Sequence, residues 1–383
     1  MMIEAVSLAT MRTELRTPWP TSEGPVSVRE SAFLLLHSGT VGGLARAAAG
    51  ESAPLPGFGL ESFASSVAAL RVVAKKLIAL TENDLSGAIR DLRNLAPVAA
   101  APAARHAIDL ALHDFLGICW GVSIARLMGG TTALDQVPAN VAIARIPAAE
   151  IGPIVERYVS KRVTTVKLKV GGCPLVEDLD RLRALREAGG PGLRIRIDAN
   201  QAWTEEEAVA ALRAMEPFRL EFAEQPVRAE DIDALGRVRA SCGVTIAADE
   251  AVRDFATAQR IVEEDAADVL IVKPMVLGGL LPARTVACYA REHGLDVVVT
   301  AFLDSIVGRH GAAHLAASLG PTPYAHGVVP PHDFAHDLAM PAPDDDEPAI
   351  VKLSREPGLG LHVEYGLARQ GIEPTILERF GTE

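Results

Sequence analysis

Six residues in the middle of the chain have types and spacing that could do chemistry. Lys167 and Lys169 alternate with Val166, Leu168 and Val170 in VTTVKLKV. The two-residue period of a strand puts the three aliphatic side chains on one face and Thr165, Lys167 and Lys169 on the other. If the aliphatic face packs against helices, the lysines point to the opposite side, roughly 7 Å apart along the strand. Desolvation and mutual repulsion would then lower their pKa toward the range of a general base. Taken alone, an edge strand with exposed lysines fits the same letters. Asp198, Glu224 and Asp249 each close an apolar run, in LRIRIDAN, LEFAEQP and VTIAADE, and Lys273 closes a fourth, ADVLIVKP. The intervals between these four are 26, 25 and 24 residues. Three converging carboxylates repel one another unless a cation joins them, and all-oxygen ligation suits Mg²⁺, with Mn²⁺ as an alternative. Singly, each carboxylate could also be a helix cap or loop acid. As an evenly spaced set at strand ends they read as ligands. A lysine on each side of a metal is what proton transfer at carbon next to a carboxylate requires. Lys273 alone also admits a salt-bridge role.

The elements that must position these residues follow from the pattern. From about residue 136, short apolar strands alternate with amphipathic helices, which indicates a parallel sheet covered by helices. Thr204 to Glu207 has the spacing of a capping box. Polar residues ending consecutive strands favour a (β/α) barrel, where all strand ends share one mouth, over a doubly wound sheet with a single switch point. The expected fold is α/β, a (β/α)7β modified TIM barrel over residues 131–330. An α+β capping domain would be formed by residues 1–130 together with a C-terminal segment, 331–383, that returns to it. Residues 1 to about 38 read as two strands around a turn. GTVGGLARAAAGESAPLPGFG reads as loop. In AARHAIDLALHDFLG one helical face is apolar through Ile108, Ala111, Leu112, Phe115 and Leu116. The acidic run at 344–347 reads as a solvated turn.

Composition sets the limits. The 383 residues carry a net charge of −12, which argues against nucleic acid as the main partner. No apolar run is long enough to span a membrane, and the N-terminus does not resemble a signal peptide. Cys119, Cys173, Cys242 and Cys288 are scattered without a CxxC pair and read as reduced, mostly buried thiols of a cytoplasmic protein.

The ordered set KLK (167–169), DAN (198–200), EQP (224–226), ADE (248–250) and KP (273–274), with Gly278-Gly279 behind it, resembles the muconate-lactonizing-enzyme subgroup of the enolase superfamily. The resemblance covers about residues 100–330. It implies Lys169 as base, Lys167 as the residue that tunes it, Lys273 as the opposing lysine, and Asp198, Glu224 and Asp249 as metal ligands. Asn200 and Glu250 would orient the ligands and Lys273. A Lys or His base working with Mg²⁺ is the known pattern of enolase-superfamily sites. LRTPWPTSEG (15–24) and APLPGFGLESF (53–63), with Phe58 facing substrate, look like the two capping loops of this subgroup. Gly-Glu followed by APLPGF, KPMVLGGL and the stretch after Thr300 are similar to o-succinylbenzoate synthases of menaquinone biosynthesis. There a cyclohexadiene carboxylate with hydroxyl and succinyl groups loses water to become aromatic. Backbone N–H groups from Ser305 to Gly308 would meet a substrate carboxylate. GGLARAAAGE departs from the family's compact GWGE-type stretch. His310 and His314, four apart, fit helix packing better than metal binding. N-acylamino acid racemases, dipeptide epimerases and muconate cycloisomerases use the same residues. A barrel that binds a small acid without turnover is the alternative from another class. A small-molecule carboxylate as partner and a homo-oligomer complete the expectation.

Overall fold

A computed structural model of the chain describes residues 1–19, 24–39, 47–329, 349–361 and 375–381. The acidic run at 344–347, residues 40–46 of the alanine-rich stretch and residues 20–23 of the first capping loop lie outside these.

Seven parallel strands form one curled sheet, in the spatial order Asp296–Val299, Val269–Val272, Ile246–Ala248, Leu220–Glu224, Arg194–Asp198, Thr165–Lys169, Val141–Ile143. Chain order and spatial order run in step, with a helix after each strand, as right-handed βαβ units require. The sheet closes through an eighth extended segment. His326 bridges Ala139 and Gly327 bridges Thr300, both in the parallel sense. The strands are nearly continuous aliphatic runs because helices cover one side and the barrel interior the other. Val166, Leu168, Ile195, Ile197, Ala223, Leu270 and Val272 pack outward into one cluster with helix residues such as Leu182, Leu212, Leu235 and Val286. The helix Glu205–Met215 opens on the expected capping box between Thr204 and Glu207.

The cap is a four-stranded antiparallel sheet, ordered Thr375–Gly381, Ala5–Trp19, Val26–His37, Ala47–Ser52. The C-terminal strand therefore returns to the N-terminal one, Ala5 opposite Gly381. Leu8, Leu34 and Leu36 of this sheet pack on Leu70, Val73, Ile108 and Leu112 of two helices. Ala47–Ser52 corrects the sequence reading of this stretch as loop: it is a strand buried throughout. Its small residues allow close approach to the helix Pro102–Trp120. A Cβ on Gly50 would lie 1.8 Å from the Ala107 carbonyl oxygen.

That helix also differs from a one-faced amphipathic element. His106, Asp109, His113 and Asp114 are buried on it, whereas Leu116 is only partly so. Asp109 accepts from the Leu280 amide at 2.7 Å, and Asp114 accepts from the amides of Ala49 and Leu359, each at 2.8 Å. The helix is a beam between cap and barrel, and its buried acids hold backbone on both sides. The four cysteines are free thiols, half-buried where the sequence suggested mostly buried. No helix among the described residues is long and apolar enough to cross a membrane.

Candidate active site

Strand register builds the site. Lys169 lies opposite Asp198, and Asp198 opposite Glu224, so three neighbouring strands end in one row. Asp249 follows the next strand, Ile246–Ala248, and Lys273 the one after, Val269–Val272. Lys169 and Lys273 are thus borne by strands four places apart in a barrel of eight, on opposite sides of the mouth, with the three carboxylates between them. One oxygen from each of Asp198, Glu224 and Asp249 comes within 4.8 Å of the others, and all three residues are buried.

Each lysine leans on the acids. Lys167 Nζ is 3.0 Å from both Asp198 and Glu224. Lys169 donates to Asp198 at 2.6 Å and to Asn200 at 2.5 Å. Lys273 donates to Asp249 at 2.7 Å and sits 5.4 Å from the centre of the Phe302 ring. Asn200 links the two sides, since its amide also donates to Glu250 at 2.9 Å.

The electrostatics reverse one expectation. Burial pulls the Lys167 ammonium down, but the charges of Glu224, Asp198 and Asp249 outweigh it and hold its pKa above the usual lysine value. Lys273 is raised in the same way, burial being opposed chiefly by Asp249 and Glu250. Repulsion between lysines does not decide the outcome, because carboxylates pair directly with each ammonium. Burial pushes Asp198 up, yet Lys169 and Lys167 together hold it well below the carboxylate range. Glu224 goes the other way: burial and then the charge of Asp198 raise it well above its ordinary value, despite Lys167. With Glu250 beside Asp249, four carboxylates face the three lysines. A compact dication fits that deficit, and an all-carboxylate donor set is the kind that hard divalent cations take.

Residues 151–366 match the family model described as Enolase C-terminal domain-like. The chain belongs to the enolase superfamily. It is 31% identical over 333 residues to a chloromuconate cycloisomerase of Cupriavidus necator, covering 86% of this chain and 88% of that protein. It is 38% identical over 197 residues to an o-succinylbenzoate synthase of Thermobifida fusca, covering 51% of this chain and 60% of that protein. The crystal structure of a dipeptide epimerase from Enterococcus faecalis, complexed with Mg and the dipeptide L-Leu-L-Tyr, superposes with a TM-score of 0.84 at 26% identity, over 94% of this chain and 99% of that one.

Within this enolase-superfamily barrel, Phe58 comes to the mouth, edge-on to Phe302 with ring centres 5.3 Å apart. Ser305 and Gly308 do not offer free amides to a substrate. Their N–H groups donate at 3.0 and 2.8 Å to Glu51, which also accepts from the hydroxyls of Ser305 and Ser31. The helix N-terminus that reads as an anion site in sequence has its anion supplied by the cap. His314 is buried, accepts from the Ala125 amide and donates to the Leu359 carbonyl, so it is a packing residue.

Two contributors escaped sequence reasoning. Glu51 is one. The other is Gln225, fully buried between two candidate ligands. Its side-chain oxygen accepts from the amides of Asp249 and Ala251 at 2.9 and 3.2 Å, and its nitrogen donates to the Val227 carbonyl. It thereby sets where Asp249 leaves its strand. Asn200, Gln201 and Gln225 all have positive φ, of 44°, 66° and 37°. Such backbone costs energy and concentrates at functional loops.

Proposed function

We propose that the protein is an o-succinylbenzoate synthase: it removes water from 2-succinyl-6-hydroxy-2,4-cyclohexadiene-1-carboxylate through an enediolate. The observation that carries this reading is a lysine on each side of a buried carboxylate triad, with the two lysines unlike in their surroundings. Among the described residues the Lys169 ammonium donates to Asp198 and to the side-chain oxygen of Asn200. Lys273 is paired with Asp249, close to Glu250, and covered by Phe302. We assign proton transfer to the first and, because Asp249 and Glu250 favour the charged form of the second, a fixed positive charge to Lys273. The 38% identity to a synthase over half the chain supports the same choice.

Asp198, Glu224 and Asp249 would hold Mg²⁺, which when bound supplies the positive charge that stabilises an enediolate and that the lysines alone do not provide. In its neutral form Lys169 would take the proton from the carbon bearing the carboxylate. As an ammonium it would then return that proton to the departing hydroxyl on the same face, so that water leaves and the ring becomes aromatic. Lys273 would stay protonated and face the developing negative charge. Asn200, joined to Lys169 and Glu250, would keep the base aimed. Phe58 and Phe302 would cover the reacting centre and exclude water.

A second reading, 1,1-proton transfer as in a racemase or epimerase, draws on the relatives and structures that match over most of the chain. The two lysines discriminate between them. Lys169→Ala should abolish dehydration. Lys273→Arg keeps a positive charge but cannot serve as a base, so dehydration should survive in part while racemisation is lost. Equal loss of dehydration in both variants would count against the synthase assignment.

A further inference from the structure

Two cavities meet at the triad, one of about 760 Å³ and one of about 430 Å³. Lys169, Asp249, Lys273, Phe58 and Phe302 border both. The larger chamber is walled by three guanidinium groups, those of Arg145, Arg228 and Arg253. Two of them are engaged: Glu230 lies 3.7 Å from Arg228 and 2.8 Å from Arg253, which also donates to the Glu250 carbonyl. Arg145 has neither an ion pair nor a hydrogen-bond partner among the described residues.

Its surroundings are shaped for an open guanidinium. Arg145 follows the strand Val141–Ile143, which pairs with the strand bearing Lys169, Ile143 opposite Leu168. Its planar head lies over Gly172, where a Cβ would be 3.1 and 3.2 Å from the two terminal nitrogens. Gly172 has φ of +66°, a conformation glycine adopts without cost, so the loop presents bare backbone where the guanidinium rests. The result is a fork of N–H donors facing the chamber on the Lys169 side, matched to the two oxygens of a carboxylate.

We propose that Arg145 binds a second anionic group of the substrate, a carboxylate on a short arm that starts at the atom next to the reacting carbon and reaches into the larger chamber. The protein is thereby selective for dianions. This rests on the reading that the first carboxylate lies at the triad. The smaller cavity, bordered by Ile143, Ile146 and Ile154, would take an apolar part, and Arg157, which lines it together with Arg309, is a competing cation.

Calorimetry on the Mg²⁺-loaded protein tests this with N-succinylglycine and N-butyrylglycine, which differ in having a carboxylate or a methyl at the end of the arm. The wild type should favour the dianion by about tenfold or more, the worth of one charge-assisted pair. Arg145→Gln should bring that ratio to within about twofold, Arg145→Lys should keep part of it, and Arg157→Gln should keep it. No preference in the wild type, an unchanged ratio in Arg145→Gln, or a collapse in Arg157→Gln instead would each overturn the proposal. Aromatisation of the cyclohexadiene carboxylate is measured separately. An Arg145-dependent ratio without aromatisation would leave the dianion site standing and remove the synthase reading. Aromatisation with an Arg145-independent ratio would do the reverse.

Discussion

Replacing Glu51 with alanine should destabilise the protein and loosen the loop above Lys273. Glu51 is fully buried, and its carboxylate accepts four hydrogen bonds: 2.7 Å from Ser31, 2.7 Å from the Ser305 hydroxyl, and 3.0 and 2.8 Å from the amides of Ser305 and Gly308. In Glu51→Ala the hydroxyls can rotate, but the two amides are fixed at a helix start. Each buried unpaired donor costs about 1–3 kcal/mol, or about 2–6 kcal/mol for both. Relief of repulsion toward Asp304, whose carboxyl is raised by burial and then by Glu51, offsets part of this. A net loss of about 2–4 kcal/mol follows. Glu51→Gln keeps the shape and one acceptor oxygen and should fall between. The assay is urea unfolding followed by circular dichroism, with kcat measured alongside, because the anchored segment carries Phe302 over the Lys273 ammonium. A Glu51→Ala protein within about 0.5 kcal/mol of wild type would refute the idea that this carboxylate ties cap to barrel.

Two further outcomes are expected. Asp198→Asn, Glu224→Gln and Asp249→Asn should each weaken Mg²⁺ binding in calorimetry and lower activity that a chelator abolishes and Mg²⁺ or Mn²⁺ restores; normal affinity in all three would remove the triad as the metal site. Asp304 provides a pH test. Burial and Glu51 raise its carboxyl from the ordinary 3.8 to about 7, so the folded protein binds the proton more tightly than the unfolded chain, and stability falls as pH rises between those values. Asp304→Asn should flatten that slope and exceed wild type in unfolding free energy at about pH 8. Glu250, raised to about 7 by burial and Asp249, leaves a residual slope in the variant. An unchanged profile would show that Asp304 is not buried as described.

What sequence could show depended on how local the cause was. The barrel strands were legible because a strand covered on both sides is aliphatic throughout, and because Asp198, Glu224, Asp249 and Lys273 each mark a strand end. Ala47–Ser52 was not, since AAAGES has weak strand propensity. It is a strand because it pairs along Ala32–His37, and its small residues let a helix some 57 residues away close on Gly50. Glu51 followed the same logic. Its partners Ser305 and Gly308 lie at the other end of the chain, so the helix start they form read as vacant. Gln225 sits inside a legible motif, but its work is done on the amides of Asp249 and Ala251 in the next loop. The sign of the Lys167 shift depended on acids from three other strand ends, Glu224 foremost, which the KLK motif alone does not contain. The acid groups and lysines at the mouth were thus readable one by one, and the partners that hold them in place were not.

Incubating the Mg²⁺-loaded wild type with the cyclohexadiene carboxylate, and in D₂O with N-succinyl amino acids and dipeptides, separates dehydration from racemisation in one experiment. A synthase gives rapid appearance of the aromatic product, with slow exchange of deuterium into the amino acid α-position. Fast exchange into both enantiomers with no aromatic product would contradict the synthase reading and assign the two lysines to racemisation.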